Sequence, residues 1–239
     1  MILKSLKLKY YKFLLYYFER WTKPDLFNRI LKMEGFDIGE GTIFYGPKTM
    51  TIDRERPWML KIGSYCKITT GVTILTHDYS RSVLRRVYGE IVGEAKETVI
   101  GDNVFIGVNS TILMGSHIGN NVIVGAGSVV SGKIPDNVVI SGNPAKIIRT
   151  LDEHYQIRKS KYVEEAKEYF RLYKKRFGSW PPENQCGPFF PLFAIRETFD
   201  YNDPRLRCNG DNIEDIKRDF KHSKPLFGSY EDFVESITN

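Results

Sequence analysis

Between Ile100 and Val130 an apolar, β-branched residue returns at every sixth position: Ile100, Ile106, Ile112, Ile118, Val124 and Val130. A period of six fits neither the 3.6 of an amphipathic helix nor the 2 of a half-buried strand, and a run of short antiparallel strands would not hold phase through six units. It suits a parallel β-helix, in which a short strand turns a corner at each repeat. Small residues follow the apolar ones, as in Ile100-Gly101-Asp102-Asn103-Val104 and Val124-Gly125-Ala126-Gly127-Ser128. Glycine is expected at the corner, where positive φ is often needed, while Ile and Val fill the interior at about 2 kcal/mol per buried side chain.

The same phase runs upstream through Ile38, Phe44 and Met50, dissolves in Asp53-Arg54-Glu55-Arg56-Pro57, and resumes with Ile62, Ile68 and Ile74. It stops at Leu75-Thr76-His77-Asp78-Tyr79. From Ile74 to Ile100 is 26 residues, not a multiple of six, so residues 79–98 read as an inserted loop. A loop that leaves a rigid repeat at a histidine is a natural place for an active site. Downstream, the repeats end through Ser131-Gly132-Lys133-Ile134-Pro135 and the Gly142-Asn143-Pro144-Ala145 turn. The β-helix is therefore expected over 35–149, with a helical segment over 1–34 and a helix- and loop-containing extension over 150–239.

In the first segment Leu3, Leu6, Tyr10, Phe13, Leu14, Tyr17 and Trp21 form one helical stripe, with Lys4, Lys9 and Lys12 away from it. Leu8, Tyr11, Leu15 and Phe18 make the other side apolar as well. Packing on protein, as a cover for the open end of the β-helix, is the expectation; contact with a membrane surface, where Lys and aromatic residues are common anchors, is the alternative. In the extension, Tyr155, Tyr162, Ala166, Tyr169, Tyr173 and Phe177 predict a helix over 151–177, ended by Gly178 and Pro181-Pro182. Residues 179–210 read as ordered loop. Short helices are expected within 211–221, opened by Asp211 or Asn212, and within 229–237, capped by Ser229.

Composition narrows the function. The net charge of +6 over 239 residues favours anionic partners, but much of the excess lies in the first segment, which argues against nucleic acid. Cys66, Cys186 and Cys208 have no paired spacing and read as reduced thiols rather than a disulfide framework or zinc ribbon. The apolar run Phe13 to Phe18 is far shorter than the roughly 20 residues of a membrane span, and lysines interrupt any signal-peptide core. A cytoplasmic protein is expected, at most peripheral at the inner face of the membrane.

The run IGDNVFIGVNSTILMGSHIGNNVIVGAGSVVSGKIPDNVVISGNPA, Ile100 to Ala145, closely resembles the hexapeptide-repeat acyltransferases, above all the maltose, galactoside, xenobiotic and surface-polysaccharide acetyltransferase branch. The likeness covers Ile38 to about Arg149. It implies a mainly β protein built on a left-handed parallel β-helix, acetyl-coenzyme A as donor, a carbohydrate acceptor, and a homotrimer with active sites between subunits. Sugar O-acetylation in surface polysaccharide or lipopolysaccharide assembly is the implied activity; amino-sugar N-acetylation, antibiotic O-acetylation and a non-catalytic scaffold are the alternatives.

His77 matches the family's catalytic histidine. A neutral imidazole there can take the proton of an attacking sugar hydroxyl as its oxygen reaches the thioester carbonyl. By the same match, Val108 and Ala126 offer backbone groups to the pantetheine arm, with Gly107 and Gly125 permitting close approach. Ser131, Lys146 and Arg149 match the nucleotide end, where Lys and Arg suit the anionic phosphates. The family commonly reads Thr-Lys-Asp-Ile-Pro where this chain has Ser131-Gly132-Lys133-Ile134-Pro135, so Lys133 is expected to reach a phosphate from a place shifted by one. On the acceptor side, Asp78 is a candidate to orient His77 or bind a hydroxyl, Tyr79 to stack on a sugar ring, and Arg81, Arg85 and Arg86 to meet an acidic glycan. His117 is expected outside the coil or at a subunit contact, and His154 and His222 on the surface. A zinc site like that of the γ-class carbonic anhydrases, which share this β-helix, needs three converging histidines, and only His77 and His117 lie in the repeats. No metal is expected.

Overall fold

The computed structural model describes residues 2–18, 25–206 and 209–238. Trp21 and Cys208 lie outside the described residues, as does the part of the expected first helix over 19–24. Two compact units form, Met1–His154 and Tyr155–Asn239.

The first unit is a three-sided parallel β-helix. Its first face stacks Asp37–Ile38, Leu60–Ile62, Thr98–Ile100, His117–Ile118 and Lys133–Ile134; its second stacks Ile43–Phe44, Lys67–Ile68, Phe105–Ile106, Ile123–Val124 and Val138–Gly142. The third holds Thr51–Ile52, Thr73–Ile74, Thr111–Ile112 and Val129–Val130. Register follows the six-residue phase: Ile62, Ile100 and Ile118 are stacked partners, as are Ile68, Ile106 and Val124, and Ile74, Ile112 and Val130. These residues are buried and form the core. An antiparallel strand, Ala145–Thr150, folds back on Val138–Gly142 after the last coil.

Two details of the repeat differ from expectation. In the first coil the residue in register with Ile74 is Ile52, not Met50, because a 3₁₀ turn over Pro47–Thr49 lengthens that side. Met50 is only partly buried against the core. The glycine of each apolar-Gly pair, moreover, does not serve a positive φ. A Cβ on Gly101 would come within 2.7 Å of Gly119 O, and one on Gly107 within 2.5 Å of Ala126 N, so these glycines permit one coil to lie on the next. Several left-handed corners fall instead to asparagine, at Asn103, Asn109, Asn121 and Asn137. Asn103, Asn121 and Asn137 link side chain to side chain along one edge, each bond 2.9 Å.

The inserted segment is not all loop: a helix forms over Arg81–Tyr88. At the start of the chain, α1 (Ile2–Phe18) and α2 (Leu26–Glu34) divide the expected roles. The face of α2 bearing Leu26, Phe27, Ile30 and Leu31 is buried, and Phe27 meets Phe44 of the first coil edge-on at 5.1 Å between ring centres. On α1 the half-buried residues are Leu8, Tyr11, Leu14 and Leu15, whereas Leu6, Tyr10, Phe13 and Tyr17 of the expected inward stripe are exposed. Lys12 holds α1 to α2 by an ion pair with Glu34 at 2.6 Å.

The second unit is helical. Numbering the inserted helix Arg81–Tyr88 as α3, the long helix α4 spans Leu151–Phe177, and α5 (Ile213–His222) and α6 (Tyr230–Thr238) follow where short helices were expected. Asn212 caps α5 by accepting from the Glu214 N–H, and Ser229 Oγ accepts from the Asp232 N–H at 3.0 Å. The loop between carries 3₁₀ turns over Glu183–Gln185, Gly187–Leu192 and Pro204–Leu206. Of the expected stripe on α4, Ala166 is buried and Tyr162 packs partly on the core, but Tyr155 and Phe177 are exposed; the other buried residue is Phe170, off the stripe, which packs on Phe193 and Phe233. Cys66 and Cys186 are free, buried thiols, and burial pushes Cys186 up to about 12. Helices exceed strands, with only 18% of the chain in strand, so "mainly β" describes the coil and not the whole protein.

Candidate active site

His77 lies just past Thr73–Ile74, where the chain leaves the third face. Its backbone bridges antiparallel to Ala95, and the Lys96 N–H donates to Thr76 O at 2.9 Å, so both ends of the insertion are tied together. One coil away, Asp53 follows Ile52 and donates its N–H to Ile74 O at 3.1 Å. The register of Ile52 on Ile74 thus sets Asp53 beside the exit of the chain toward His77.

There the Asp53 carboxylate is buried and gathers three bonds. Oδ2 accepts from the Thr76 hydroxyl and meets His77 Nδ1, both closely, and Oδ1 accepts from the Glu55 N–H at 3.1 Å. Burial, the largest single influence, pushes the Asp53 carboxyl up, but the bonds from Thr76, His77 and Glu55 together outweigh it and hold it below the ordinary aspartate value. An ionised carboxylate only accepts, so the proton on the Asp53–His77 bond belongs to Nδ1. Nε2 is then the ring atom with a free lone pair; the exposed Glu55 carboxylate stands 3.8 Å from it. The His77 side chain keeps 25% of its surface exposed, enough to meet a substrate. Such a pairing can act as a positioned general base, and Asp53, which meets Nδ1, was read from sequence only as part of an irregular stretch.

Asp78 does not orient His77. Its Oδ1 accepts from the Ser80 hydroxyl at 2.7 Å and the Ser80 N–H at 3.0 Å, and these bonds lower its pKa. Tyr79 is exposed, with the Arg81 guanidinium 4.8 Å from its ring centre. The other candidates fall elsewhere. Gly107, Val108, Gly125 and Ala126 lie at the corner between the second and third faces, whereas His77 and Ser131 lie at the corner between the third and first. Lys133 is on the last strand of the first face, and Lys146 and Arg149 are on the strand that folds back along the second. One chain therefore separates the histidine from the glycine-rich corner by the width of the third face. His117 is exposed on the first face, and His222 is exposed; His154, expected on the surface, is half-buried, and among the described residues its Nδ1 has no hydrogen-bond partner. Among the described residues, no three His, Cys, Asp or Glu side chains converge as metal ligands, and no helix is long and apolar enough to cross a membrane.

Residues 97–131 match the family model described as the hexapeptide repeat of succinyl-transferase. Protein CapG of Staphylococcus aureus is 40% identical over 137 residues, which cover 57% of this chain and 78% of CapG. The chain belongs to the hexapeptide-repeat acetyltransferase family. Among other members, the galactoside O-acetyltransferase of Escherichia coli K12 is 32% identical over 141 residues, covering 58% of this chain and 66% of that protein. A putative lipopolysaccharide biosynthesis O-acetyl transferase of the same organism, WbbJ, is 57% identical over 64 residues, 27% of this chain and 33% of its own length. The repeat match of this acetyltransferase takes in Gly107, Val108, Gly125, Ala126 and Ser131, while Asp53 and His77 precede it.

Proposed function

We propose that this acetyltransferase moves acetyl from acetyl-coenzyme A to a sugar hydroxyl, in surface polysaccharide or lipopolysaccharide assembly, with His77 as general base. The observation that carries the reading is the buried, ionised Asp53 holding His77 Nδ1. The acceptor hydroxyl gives its proton to Nε2 as its oxygen adds to the acetyl carbonyl. The imidazolium so formed is stabilised by Asp53 and returns the proton to the departing sulfur, so the base is regenerated. Coenzyme A supplies the acetyl group as an activated thioester.

The glycine-rich corner suits a pantetheine arm. Among the described residues, neither the Val108 N–H nor the Ala126 N–H donates a hydrogen bond within the protein, and both residues are exposed. Lys146, exposed, and Arg149 are available to the nucleotide phosphates, with Ser131 and Lys133 beyond the last coil. A left-handed coil assembled as a homotrimer would bring the histidine corner of one subunit to the glycine-rich corner of the next. The exposed aromatic face of α1, with the exposed Lys7 and Lys9 flanking it, supports peripheral contact with the inner face of a membrane.

Incubation with radiolabelled acetyl-coenzyme A and a panel of sugar acceptors tests the proposal. Label transferred to a sugar and released as acetate in mild alkali is the expected result. An alkali-stable amide on an amino sugar would move the enzyme to N-acetylation, and no transfer to any acceptor would argue for a scaffold.

A further inference from the structure

The second unit carries a basic pocket that the proposed acetyl transfer does not use. It encloses about 510 Å³, and its lining includes Arg158, Lys159, Arg196 and Lys224 but no carboxylate. Arg158 is neutralised by a two-pronged pair with Glu165. The other three cations have no ion-pair partner among the described residues.

Arg196 is the least ordinary of these. It is only 7% exposed, yet its guanidinium bonds neutral groups: Phe220 O at 3.1 Å, Pro191 O at 2.9 Å, Ser223 Oγ and Ala194 O. Its plane also stacks over the Phe220 ring at 4.0 Å. A buried cation is costly without a close counter-charge, and here the carbonyls fix its geometry while, among the described residues, the Glu197 charge acts on it without forming an ion pair. An anion entering the pocket would supply the close counter-charge.

The remaining walls say what the anion is attached to. Tyr155 and Tyr162, seven residues apart and so on one face of α4, join Leu192 and Leu226 in an apolar surface with aromatic faces. The volume exceeds what an inorganic anion fills and lies in the range of small-molecule sites. A flat, ring-shaped body bearing one negative group fits both walls and cations.

We propose that this pocket binds an anionic saccharide, through a phosphate or a carboxylate held by Arg196, Lys159 and Lys224 with the sugar ring against the tyrosines. This rests on the reading of the enzyme as a sugar acetyltransferase and assigns its second unit to holding the glycan.

The test is calorimetric titration of the full-length His77→Ala variant, so that binding is read without turnover. Glucose 1-phosphate and digalacturonate are the probes, against maltose and inorganic phosphate. Expected is saturable binding of at least one anionic sugar, at least tenfold tighter than maltose or phosphate; which probe binds identifies the anionic group. In a Lys159→Glu, Lys224→Glu variant, both positions being exposed, that affinity should fall at least tenfold with the melting temperature unchanged. Binding of neither anionic probe, equal binding of maltose or phosphate, or affinity indifferent to the charge reversal would each overturn the proposal. Acetyl transfer to sugars would stand or fall separately in the radiolabel assay.

Discussion

At the scale of single residues, the proposed mechanism depends on which nitrogen of His77 carries the proton. Replacing His77 with Ala should lower kcat by roughly 10²- to 10⁴-fold, the usual share of a general base, with cofactor binding retained. The Asp53→Asn variant is the sharper probe. An amide can donate to Nδ1, which would move the ring proton to Nε2 and remove the lone pair needed for catalysis. Turnover should therefore fall by roughly 10²- to 10⁴-fold although the shape is kept, and near wild-type turnover would remove Asp53 from the mechanism. Acid stability gives a second readout. The folded-state pKa of Asp53 is depressed, so its contribution is present above the ordinary aspartate value of 3.8 and is lost as pH falls through the lowered one. The difference in stability between wild type and Asp53→Asn should accordingly shrink in urea titrations carried below about pH 4. His77 stands out in the sequence because the repeat breaks there. Asp53 does not, because its contact with His77 runs between coils and depends on register: counting six from Phe44 arrives at Met50, while the 3₁₀ turn moves the stacked position to Ile52.

Among the elements, the coils were the most legible, since each inward position must be Ile, Val or a near equivalent and its stacked neighbour repeats the requirement. The glycines kept the pattern for a reason other than corner geometry, and two substitutions separate the causes. Gly107→Ala would set a methyl 2.5 Å from Ala126 N, so the coils must part, at about 2 to 3 kcal/mol. Gly127→Ala meets nothing within 4 Å and suffers only from its φ of +68°, about 1 kcal/mol. Urea denaturation should rank them in that order; the reverse order would make backbone conformation the dominant constraint. The terminal helices were less legible, because an apolar stripe names a buried face only when a helix has one. α1 is apolar around much of its circumference, and its aromatic stripe faces out while Leu8, Tyr11 and Leu15 face in. On α4 the stripe holds Ala166 but not Phe170, whose burial is created by rings from distant parts of the chain. Because α2 supplies the buried cover, removing residues 1–18 should leave a folded enzyme that no longer sediments with anionic liposomes, whereas removing 1–34 should lower the melting temperature sharply. Unchanged liposome binding after the shorter deletion would end the proposed membrane role of α1.

For the whole molecule, the decisive fact is that His77 and the Val108–Ala126 corner occupy different edges of the same coil. A reaction that needs both requires either a substrate long enough to cross the third face or a second subunit that brings the two edges together. Subunit mixing distinguishes these. His77→Ala removes the base but leaves the glycine-rich corner intact; Ala126→Trp, at an exposed position, should block that corner but leave the base. Each variant alone should keep only a small residue of the wild-type activity. If sites form between neighbours in a ring, a site in an equal, randomly reassembled mixture works only when its base comes from one variant and its corner from the other. With probabilities of one half for each, about a quarter of wild-type activity should return. If each site lies within one chain, every chain in the mixture carries a defect in its own site, and no activity should return however the subunits are combined. Recovery to near a quarter after dissociation and reassembly, with none on mixing intact oligomers, would place the active site between subunits; persistent inactivity in verified mixed oligomers would place it within one.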